Sequence, residues 1–384
     1  MINIKTMNKI AKIGLDELDK NIFNISDDAV GAQGIMVRSA SLHDMEFEPE
    51  LKAIVRCGAG VNNIPTDKCA QEGIVVFNTP GANANGVKEL TIASLLLASR
   101  KITDGINWAN TLESDVAKQV EKGKSAFGGC EIQGKTLGVI GLGAIGGLVA
   151  NAAKGLGMKV IGCDHFLTVD AAWHLSRSIN KALTYDEVYK EADYITLHIP
   201  STPDTRGMIN AEAIAKMKDG VKIVNLSRAD LVNAADIKEA LASGKVSCYV
   251  TDFPTEDTIN CPGIITTPHL GASTGESEDN CAVMAAHQLQ DFLLNGNIKH
   301  SVNYPDIEMP RTTQSRLVIL HKNVPNVIST VTGKVSAEGI NIDHMANRSK
   351  GDYAVMLVDT PDEVSDETVK AIADTENIIR VIKI

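Results

Sequence analysis

The stretch Thr136–Gly146, TLGVIGLGAIG, decides the fold. A short segment typical of a buried strand runs directly into a Gly-x-Gly-x-x-Gly turn, and a helical pattern follows. Such a turn suits a dinucleotide pyrophosphate, because its glycines allow close approach of the backbone and the helix N-terminus offers free N–H groups. The motif alone is a weak signal. The predicted pyrophosphate contacts are the residues of this turn: Gly141, Gly143, Ala144, Ile145 and Gly146.

An acidic residue strengthens this interpretation. The next candidate strand, MKVIGCD, ends at Asp164, eighteen positions after Gly146. A carboxylate at this spacing accepts hydrogen bonds from the ribose hydroxyls and repels the additional phosphate of NADP. We therefore predict NAD as the cofactor. The alternative is an ordinary glycine-rich turn beside a solvated aspartate.

Composition limits the possible classes of protein. The chain has 384 residues, 44% of them hydrophobic and 22% charged, which predicts a soluble protein of two or three domains. A net charge of −11 argues against non-specific nucleic-acid binding. The seven cysteines form neither a CxxC pair nor a zinc-like spacing with histidine, so we predict reduced thiols and no metal site. No signal peptide or membrane span is evident, and we predict a cytoplasmic protein.

Short apolar runs alternate with amphipathic segments along most of the chain. This alternation predicts two Rossmann-like or flavodoxin-like α/β domains with parallel sheets. Residues 85–110 read as one long helix, and residues 300–314, which are polar and contain two prolines, read as a linker. After the linker, the order strand–helix–strand–strand–helix–strand predicts a C-terminal ferredoxin-like α+β domain.

Three ionisable residues follow candidate strands in distinctive contexts. Arg228 lies in NLSRADLVN, Glu256 in DFPTED and His269 in TPHLGAST. Arginine can bind a carboxylate through two parallel hydrogen bonds, histidine exchanges protons near neutral pH, and a neighbouring carboxylate favours protonated histidine. Each residue alone is as readily a surface ion-pair or turn residue. In this order, at the carboxyl ends of parallel strands, they predict hydride transfer between NAD and a 2-hydroxy acid.

These segments resemble the D-2-hydroxyacid dehydrogenase family, and most closely its phosphoglycerate-oxidising branch. The resemblance extends over nearly the whole chain and includes NTPGANANGVKEL near the end of the first region. It implies that Arg228, Glu256 and His269 are catalytic and that two lobes close over the substrate, with a hinge near Ala98 and Ala285. The implied domains are a substrate-binding domain (1–98 and 285–308), an NAD-binding Rossmann domain (99–284) and a regulatory ACT domain (315–384).

The resemblance also implies a substrate site on the first lobe. The loop RCGAGVNN would bind the substrate carboxylate through backbone N–H groups near Ala59 and Gly60. Arg38 and Arg56 follow candidate strands, Lys124 precedes the glycine-rich turn, and these three are candidates for binding a substrate phosphate. The alternative for each of them is a solvated surface charge.

Two positions depart from the family pattern. Ala229 replaces the glycine that follows the catalytic arginine, which is a mild change. The family places an aspartate five positions before the glutamate, in contact with the nicotinamide amide; this chain has Thr251 there and Asp252 one position later. Either Thr251 replaces the aspartate, or the strand is shifted by one residue so that Asp252 makes the contact.

Residues 316–384 resemble an ACT domain, a fold that binds amino acids where two copies pair. In serine-inhibited relatives, positions matching His321, Asn323 and Asn341 hold serine. The relatives' R-P-G is Val324–Asn326 here, and loss of the glycine could obstruct the approach of a ligand to the backbone. We predict serine as an effector; the alternative is an oligomerisation module without a ligand.

The combined expectation is NAD-dependent oxidation of 3-phospho-D-glycerate to 3-phosphohydroxypyruvate, the entry to serine biosynthesis, by a homo-oligomer. The nearest alternative is the same chemistry on glyoxylate, hydroxypyruvate or 2-oxoglutarate. Two further alternatives are an NAD-gated corepressor without activity and an amino-acid sensor with a vestigial enzyme.

Overall fold

The computed structural model describes residues 1–313 and 315–384, apart from the side chain of Asp170. The chain divides into two compact units, of which the first is Met1–Asn83 with Gly275–Ile384 and the second is Ala84–Thr274. Both divisions lie at the start of a long helix, whereas the boundaries expected from the sequence fall inside these helices. The finer division into three domains remains a prediction.

The first segment of the first unit contains β1 (Ile2–Met7), α1 (Lys12–Leu15), β2 (Phe23–Ser26), β3 (Gly34–Val37), β4 (Ala53–Arg56), α2 (Thr66–Gln71) and β5 (Val75–Phe77). Its strands form a parallel sheet in the order β2-β1-β3-β4-β5. All four residues of β3 and all three of β5 are buried, as expected for strands covered on both faces. The predicted parallel sheet is confirmed.

The second unit begins with α3 (Ala84–Ser99), α4 (Ile102–Ala109), α5 (Val116–Gly123), β6 (Thr136–Ile140), α6 (Ala144–Gly155), β7 (Lys159–Cys163), α7 (Val169–Trp173) and β8 (Asn180–Lys181). It continues with α8 (Tyr185–Glu191), β9 (Tyr194–Leu197), α9 (Ala211–Ala215), β10 (Val221–Asn225), α10 (Ala234–Ser243), β11 (Val246–Thr251) and β12 (Ile264–Thr266). Its parallel sheet has the order β12-β11-β10-β9-β6-β7-β8. The direction of winding reverses between β6 and β9, and ligands bind at the carboxyl ends of strands at such a point.

The prediction of one helix over residues 85–110 was wrong. The helix ends at Ser99, whose carbonyl oxygen accepts a hydrogen bond from the Cys130 N–H (3.0 Å) instead of continuing the helical pattern. Gly129 packs so closely that a Cβ there would lie 2.4 Å from the same oxygen. A tertiary contact that the local sequence does not show therefore ends the helix.

The rest of the first unit contains α11 (Gly275–Asn295), β13 (Ser315–Lys322), α12 (Val327–Ala337), β14 (His344–Lys350), β15 (Tyr353–Thr360), α13 (Asp366–Ala373) and β16 (Ile378–Lys383). The strands form an antiparallel sheet in the order β14-β15-β13-β16. This arrangement confirms the predicted α+β order. Among the described residues, no helix is both long and apolar enough to cross a membrane.

The central strands of the C-terminal sheet, β13 and β15, are buried on both faces. On one face, Leu317 and Ile319 pack with residues of α12 and α13. On the other face, Val318, Leu320 and Leu357 belong to the same hydrophobic core as the first parallel sheet. The C-terminal sheet and the first parallel sheet are therefore parts of one packed body.

A buried arginine stabilises the junction between the C-terminal sheet and the rest of the first unit. The Arg316 side chain is inaccessible to solvent and forms a bidentate ion pair with Asp359, with Nε–Oδ1 and Nη2–Oδ2 distances of 2.5 and 2.7 Å. Its remaining N–H groups donate to the carbonyl oxygens of Asn295, Met309 and Pro310. All five donors of the guanidinium are thus used, and they connect β13 to the end of α11 and to the segment after it.

The segment predicted as a linker has no long regular element, but it is packed against the unit. Tyr304 is fully buried, and its hydroxyl donates to the Ala70 carbonyl oxygen (2.7 Å). Ile307 is also buried. Gln314, the last residue of the predicted linker, lies outside the described residues.

Candidate active site

The glycine-rich turn connects β6 to α6 in the second unit. Gly141 has a φ of +88°, which favours glycine, and a Cβ on Gly146 would lie 1.9 Å from the Gly141 carbonyl oxygen. Within the described part of the chain, a Cβ on Gly143 would meet no atom within 4 Å, and no side chain caps the helix there. The N–H groups at the start of α6 are therefore open to an anion, and the turn fits a pyrophosphate.

The two helix-side glycines give a matched pair of variants. We expect Gly146→Ala to destabilise the protein by roughly 1–3 kcal/mol, because its methyl group overlaps a backbone oxygen. We expect Gly143→Ala to keep the wild-type stability but to weaken NADH binding by at least about tenfold, because its methyl group enters the space available to the anion. Thermal unfolding and NADH fluorescence titration measure the two effects. Tight NADH binding by Gly143→Ala would contradict the assignment of this turn.

Asp164 lies immediately after β7 and is tied to the same turn. Its Oδ2 accepts a hydrogen bond from the Leu142 N–H and its Oδ1 accepts one from the Phe166 N–H, both at 2.7 Å. These two bonds fix the carboxylate beside the glycine-rich turn. Each oxygen keeps a further lone pair for a ribose hydroxyl, so the position fits the predicted role.

His198, which was not predicted as a site residue, lies next to this turn, directly after β9. If Gly146 carried a Cβ, that atom would lie 3.3 Å from the Cβ of His198. The Nε2 atom is 3.0 Å from Thr196 Oγ1, while Nδ1 is buried and has no hydrogen-bond partner among the described residues. Burial lowers the pKa of His198 to about 3. A polar residue ending the strand next to β6 was the signal that could have identified it.

The lowered pKa of His198 predicts a loss of stability in acid. The imidazole is neutral when folded, whereas in the unfolded chain it binds a proton below its ordinary pKa of 6.5. Its contribution is complete above pH 6.5 and decreases as the pH falls toward 3. Between about pH 7 and about pH 5, we expect wild type to lose up to about 2 kcal/mol more unfolding free energy than His198→Gln. Urea denaturation at both pH values measures this, and equal losses would contradict it.

Two of the three predicted catalytic residues lie against one aromatic ring. Arg228 follows β10, His269 follows β12, and Phe253 follows β11, the strand between them. The Arg228 guanidinium carbon is 5.8 Å from the centroid of the Phe253 ring, and the Phe253 and His269 ring centroids are 4.5 Å apart. Phe253 thus supports a cation and an imidazole at the carboxyl edge of the sheet. Phe253 was not among the site residues predicted from the sequence.

Glu256 is less closely connected to this group. It is exposed, in a loop that is fastened by the Thr255 N–H donating to Thr258 Oγ1 (2.9 Å). Among the described residues, no hydrogen bond or ion pair joins Glu256 to His269. Catalytic hydrogen bonds often form only when the substrate is bound, and the role of Glu256 remains a prediction.

The structure distinguishes Thr251 from Asp252. Thr251 ends β11, and its Oγ1 accepts a hydrogen bond from the Phe253 N–H (3.1 Å). Asp252 is fully buried; its Oδ2 accepts a hydrogen bond from the Gly271 N–H (2.9 Å), and its Oδ1 has no described partner. Burial raises the pKa of Asp252, although the nearby charges of His269 and Arg228 oppose this effect. The free oxygen of Asp252 can accept a hydrogen bond from an amide group of a ligand.

Two substrate-binding candidates of the first unit are neighbours. Arg38 follows β3 and Arg56 ends β4, and the Arg56 Nε donates to the Arg38 carbonyl oxygen (3.1 Å). The Arg38 Nη2 is 2.5 Å from Glu278 Oε1. Ala59 and Gly60 follow β4 in the next loop, where the Ala59 carbonyl oxygen accepts a hydrogen bond from the Asn78 side chain. A cationic edge and a loop with backbone N–H groups thus lie at the carboxyl end of one sheet.

Lys124 lies in the second unit, in a short 3₁₀ helix (Lys124–Phe127). Its Nζ is 2.5 Å from Glu121 Oε2, and both side chains are largely exposed. The local partner satisfies the charge, and the proposed phosphate contact remains a prediction.

The three predicted regulatory residues lie at two ends of the C-terminal sheet. His321 is buried, its Nε2 lies 3.0 Å from Asn347 Oδ1, and Asn323 Nδ2 donates to the Gly351 carbonyl oxygen (3.1 Å). Asn341 precedes the opposite end of β14, where its Nδ2 donates to Asp343 Oδ1 (3.0 Å). About seven residues of strand separate the ends, which is roughly 20 Å. One copy of the chain therefore cannot hold one small amino acid with all three residues.

Comparisons with known proteins are consistent with this geometry. Residues 92–271 match the family model described as "D-isomer specific 2-hydroxyacid dehydrogenase, NAD binding domain". The chain is 32% identical over 352 residues to a D-3-phosphoglycerate dehydrogenase of Synechocystis sp., covering 89% of this chain and 60% of the relative. It is 33% identical over 323 residues to the Bacillus subtilis D-3-phosphoglycerate dehydrogenase, covering 79% and 59%. The chain thus spans about three fifths of the length of these relatives.

Solved structures share the fold. An NAD⁺-bound 3-phosphoglycerate dehydrogenase of Entamoeba histolytica aligns with a TM-score of 0.61 and 28% identity, covering 79% of this chain and 98% of that one. A D-lactate dehydrogenase of Treponema pallidum aligns with a TM-score of 0.65 and 19% identity, covering 78% and 99%, which shows the fold alone.

Proposed function

We propose that this chain, whose residues 92–271 match the NAD-binding domain of the D-isomer specific 2-hydroxyacid dehydrogenases, oxidises 3-phospho-D-glycerate to 3-phosphohydroxypyruvate with NAD, the first step of serine biosynthesis. The observation that carries the proposal is the placement of Arg228 and His269 against the ring of Phe253, in the unit that holds the glycine-rich turn. The names of the relatives favour phosphoglycerate over other 2-hydroxy acids.

Each residue then has a chemical task. Bound NAD supplies the acceptor for the hydride that leaves C2. Arg228 binds the substrate carboxylate and polarises the oxygen on C2, while His269 accepts the hydroxyl proton as the carbonyl forms. Glu256 stabilises the resulting imidazolium. The free oxygen of Asp252, rather than Thr251, orients the carboxamide of the cofactor.

The first unit supplies the remaining substrate contacts of the proposal. Ala59 and Gly60 bind the carboxylate through their N–H groups, and Arg38 and Arg56 bind the phosphate. Lys124 of the second unit is a further candidate for the phosphate. Paired arginines suit a phosphate because each presents several donors in a fixed plane.

A panel of substrates tests the function. Initial rates are measured from the absorbance of NADH. We expect the highest kcat/KM with 3-phospho-D-glycerate and NAD, and a much lower kcat/KM when NADP replaces NAD. In the reverse direction, 3-phosphohydroxypyruvate should be preferred over glyoxylate, hydroxypyruvate and 2-oxoglutarate. Preference for one of those three acids would identify a different dehydrogenase of the family, and no turnover on any acid would favour a corepressor or sensor.

We further propose a cytoplasmic homo-oligomer in which serine binds across two C-terminal sheets. The separation of His321 and Asn323 from Asn341 supports a site that needs residues from two copies of the chain. Isothermal titration with serine, together with initial rates, tests this. Absence of heat and of inhibition would leave the sheet as a structural module.

A further inference from the structure

Glu278 holds Arg38 in an ion pair, and we propose that it competes with the substrate phosphate for this guanidinium and so limits affinity for the phosphorylated substrate. This inference rests on the proposed function, because it concerns the phosphate contacts of the same site. It assigns to Glu278 a role in setting selectivity between phosphorylated and unphosphorylated acids.

The Glu278 carboxylate contacts Arg38, which is one of two adjacent arginines. Arg56 pairs with Val37, the residue before Arg38, and the Arg56 Nε donates to the Arg38 carbonyl oxygen, so the two arginines are adjacent at this edge of the sheet. Glu278 lies in the first turn of α11, and its Oε1 is 2.5 Å from Arg38 Nη2. While this ion pair is formed, one N–H of that nitrogen is used, and the negative charge of the carboxylate repels a phosphate that approaches the same guanidinium.

The pair is accessible and exchangeable. Both side chains are 41% exposed, so an anion from solvent can reach them. Ion pairs with this exposure contribute little free energy, and a dianionic phosphate can replace the carboxylate. The N-terminal turn of α11 favours a negative charge at Glu278 when no ligand is present.

Charge determines the direction of the effect. Glu278 places one negative charge beside the guanidinium of Arg38. Removal of this charge strengthens the attraction of Arg38 for an anion, and the gain increases with the charge of that anion. Removal of the Glu278 charge should therefore increase the affinity for a substrate with a phosphate more than the affinity for a substrate with an uncharged hydroxymethyl or methyl group at the same position.

A substitution and a matched control separate this role from a general effect of charge. Glu278→Gln keeps the shape of the side chain and removes its charge. Glu276→Gln removes a charge from the same turn of α11 at an exposed position. We expect Glu278→Gln to lower the KM for 3-phospho-D-glycerate by roughly two- to fivefold, with KM for D-glycerate nearly unchanged. Glu276→Gln should resemble wild type.

Opposite or equal results would overturn the proposal. A higher KM in Glu278→Gln would mean that Glu278 positions Arg38 for binding, and an unchanged KM would mean that the ion pair is incidental. An equal decrease in Glu276→Gln would reveal a non-specific effect of charge.

A second measurement works without turnover. Inorganic phosphate should raise the thermal unfolding temperature of Glu278→Gln more than that of wild type. If wild type does not oxidise 3-phospho-D-glycerate, the proposed function fails, and the phosphate titration still decides whether Glu278 competes for Arg38. Equal stabilisation of both proteins by phosphate would refute the competition.

Discussion

His269→Ala is expected to lower kcat by about 10²–10⁴-fold while leaving NADH affinity nearly unchanged. The imidazole is the proposed acceptor for the hydroxyl proton, and its contact with Phe253 fixes it beside Arg228. Steady-state kinetics near neutral pH and NADH fluorescence titration measure the two quantities.

A histidine outside the site provides the control. His174, which follows α7 and is exposed, can be changed to alanine and should leave kcat within about twofold of wild type. If His269→Ala kept kcat within about fivefold of wild type, another group would have to accept the proton.

Arg316→Leu is expected to destabilise the first unit by roughly 3–5 kcal/mol. The change leaves the buried Asp359 carboxylate without its partner and removes hydrogen bonds from three carbonyl oxygens. Urea denaturation, followed through the transition of the first unit, measures the loss.

A double variant tests the cause of this loss. Adding Asp359→Leu removes the unpaired buried charge, so Arg316→Leu/Asp359→Leu should recover part of the stability. The exposed pair of Lys299 with Glu308 in the same unit is a control, because Lys299→Met should cost no more than about 1 kcal/mol. A small effect of Arg316→Leu would show that the buried pair does not hold the junction together.

Much of the fold could be predicted because its signals are local. The glycine turn, the alternation of strands and helices, and the order of the C-terminal elements depend on short sequence patterns. The proximity of Arg228 and His269 could be predicted because each residue follows a strand of the same parallel sheet, and the carboxyl ends of such strands lie on one edge.

Other features depend on contacts between distant segments. The end of α3 at Ser99 is set by Cys130, and Glu278 contacts Arg38 across 240 positions of sequence. The packing of the C-terminal sheet did leave a signal: β13 reads as a continuous apolar run rather than an alternating one, which indicates burial on both faces. That signal shows that the outer face is covered, but it does not identify what covers it.

The shared core beneath β13 and β15 limits how this protein can be cut or recombined. A chain ending before β13 would leave Val355 and Leu357 missing from a core that includes Phe77. The isolated C-terminal segment would in turn present Val318 and Leu320 to water. We therefore expect both fragments to aggregate when expressed separately, and the segment to be unsuitable as a sensor module for grafting onto other enzymes.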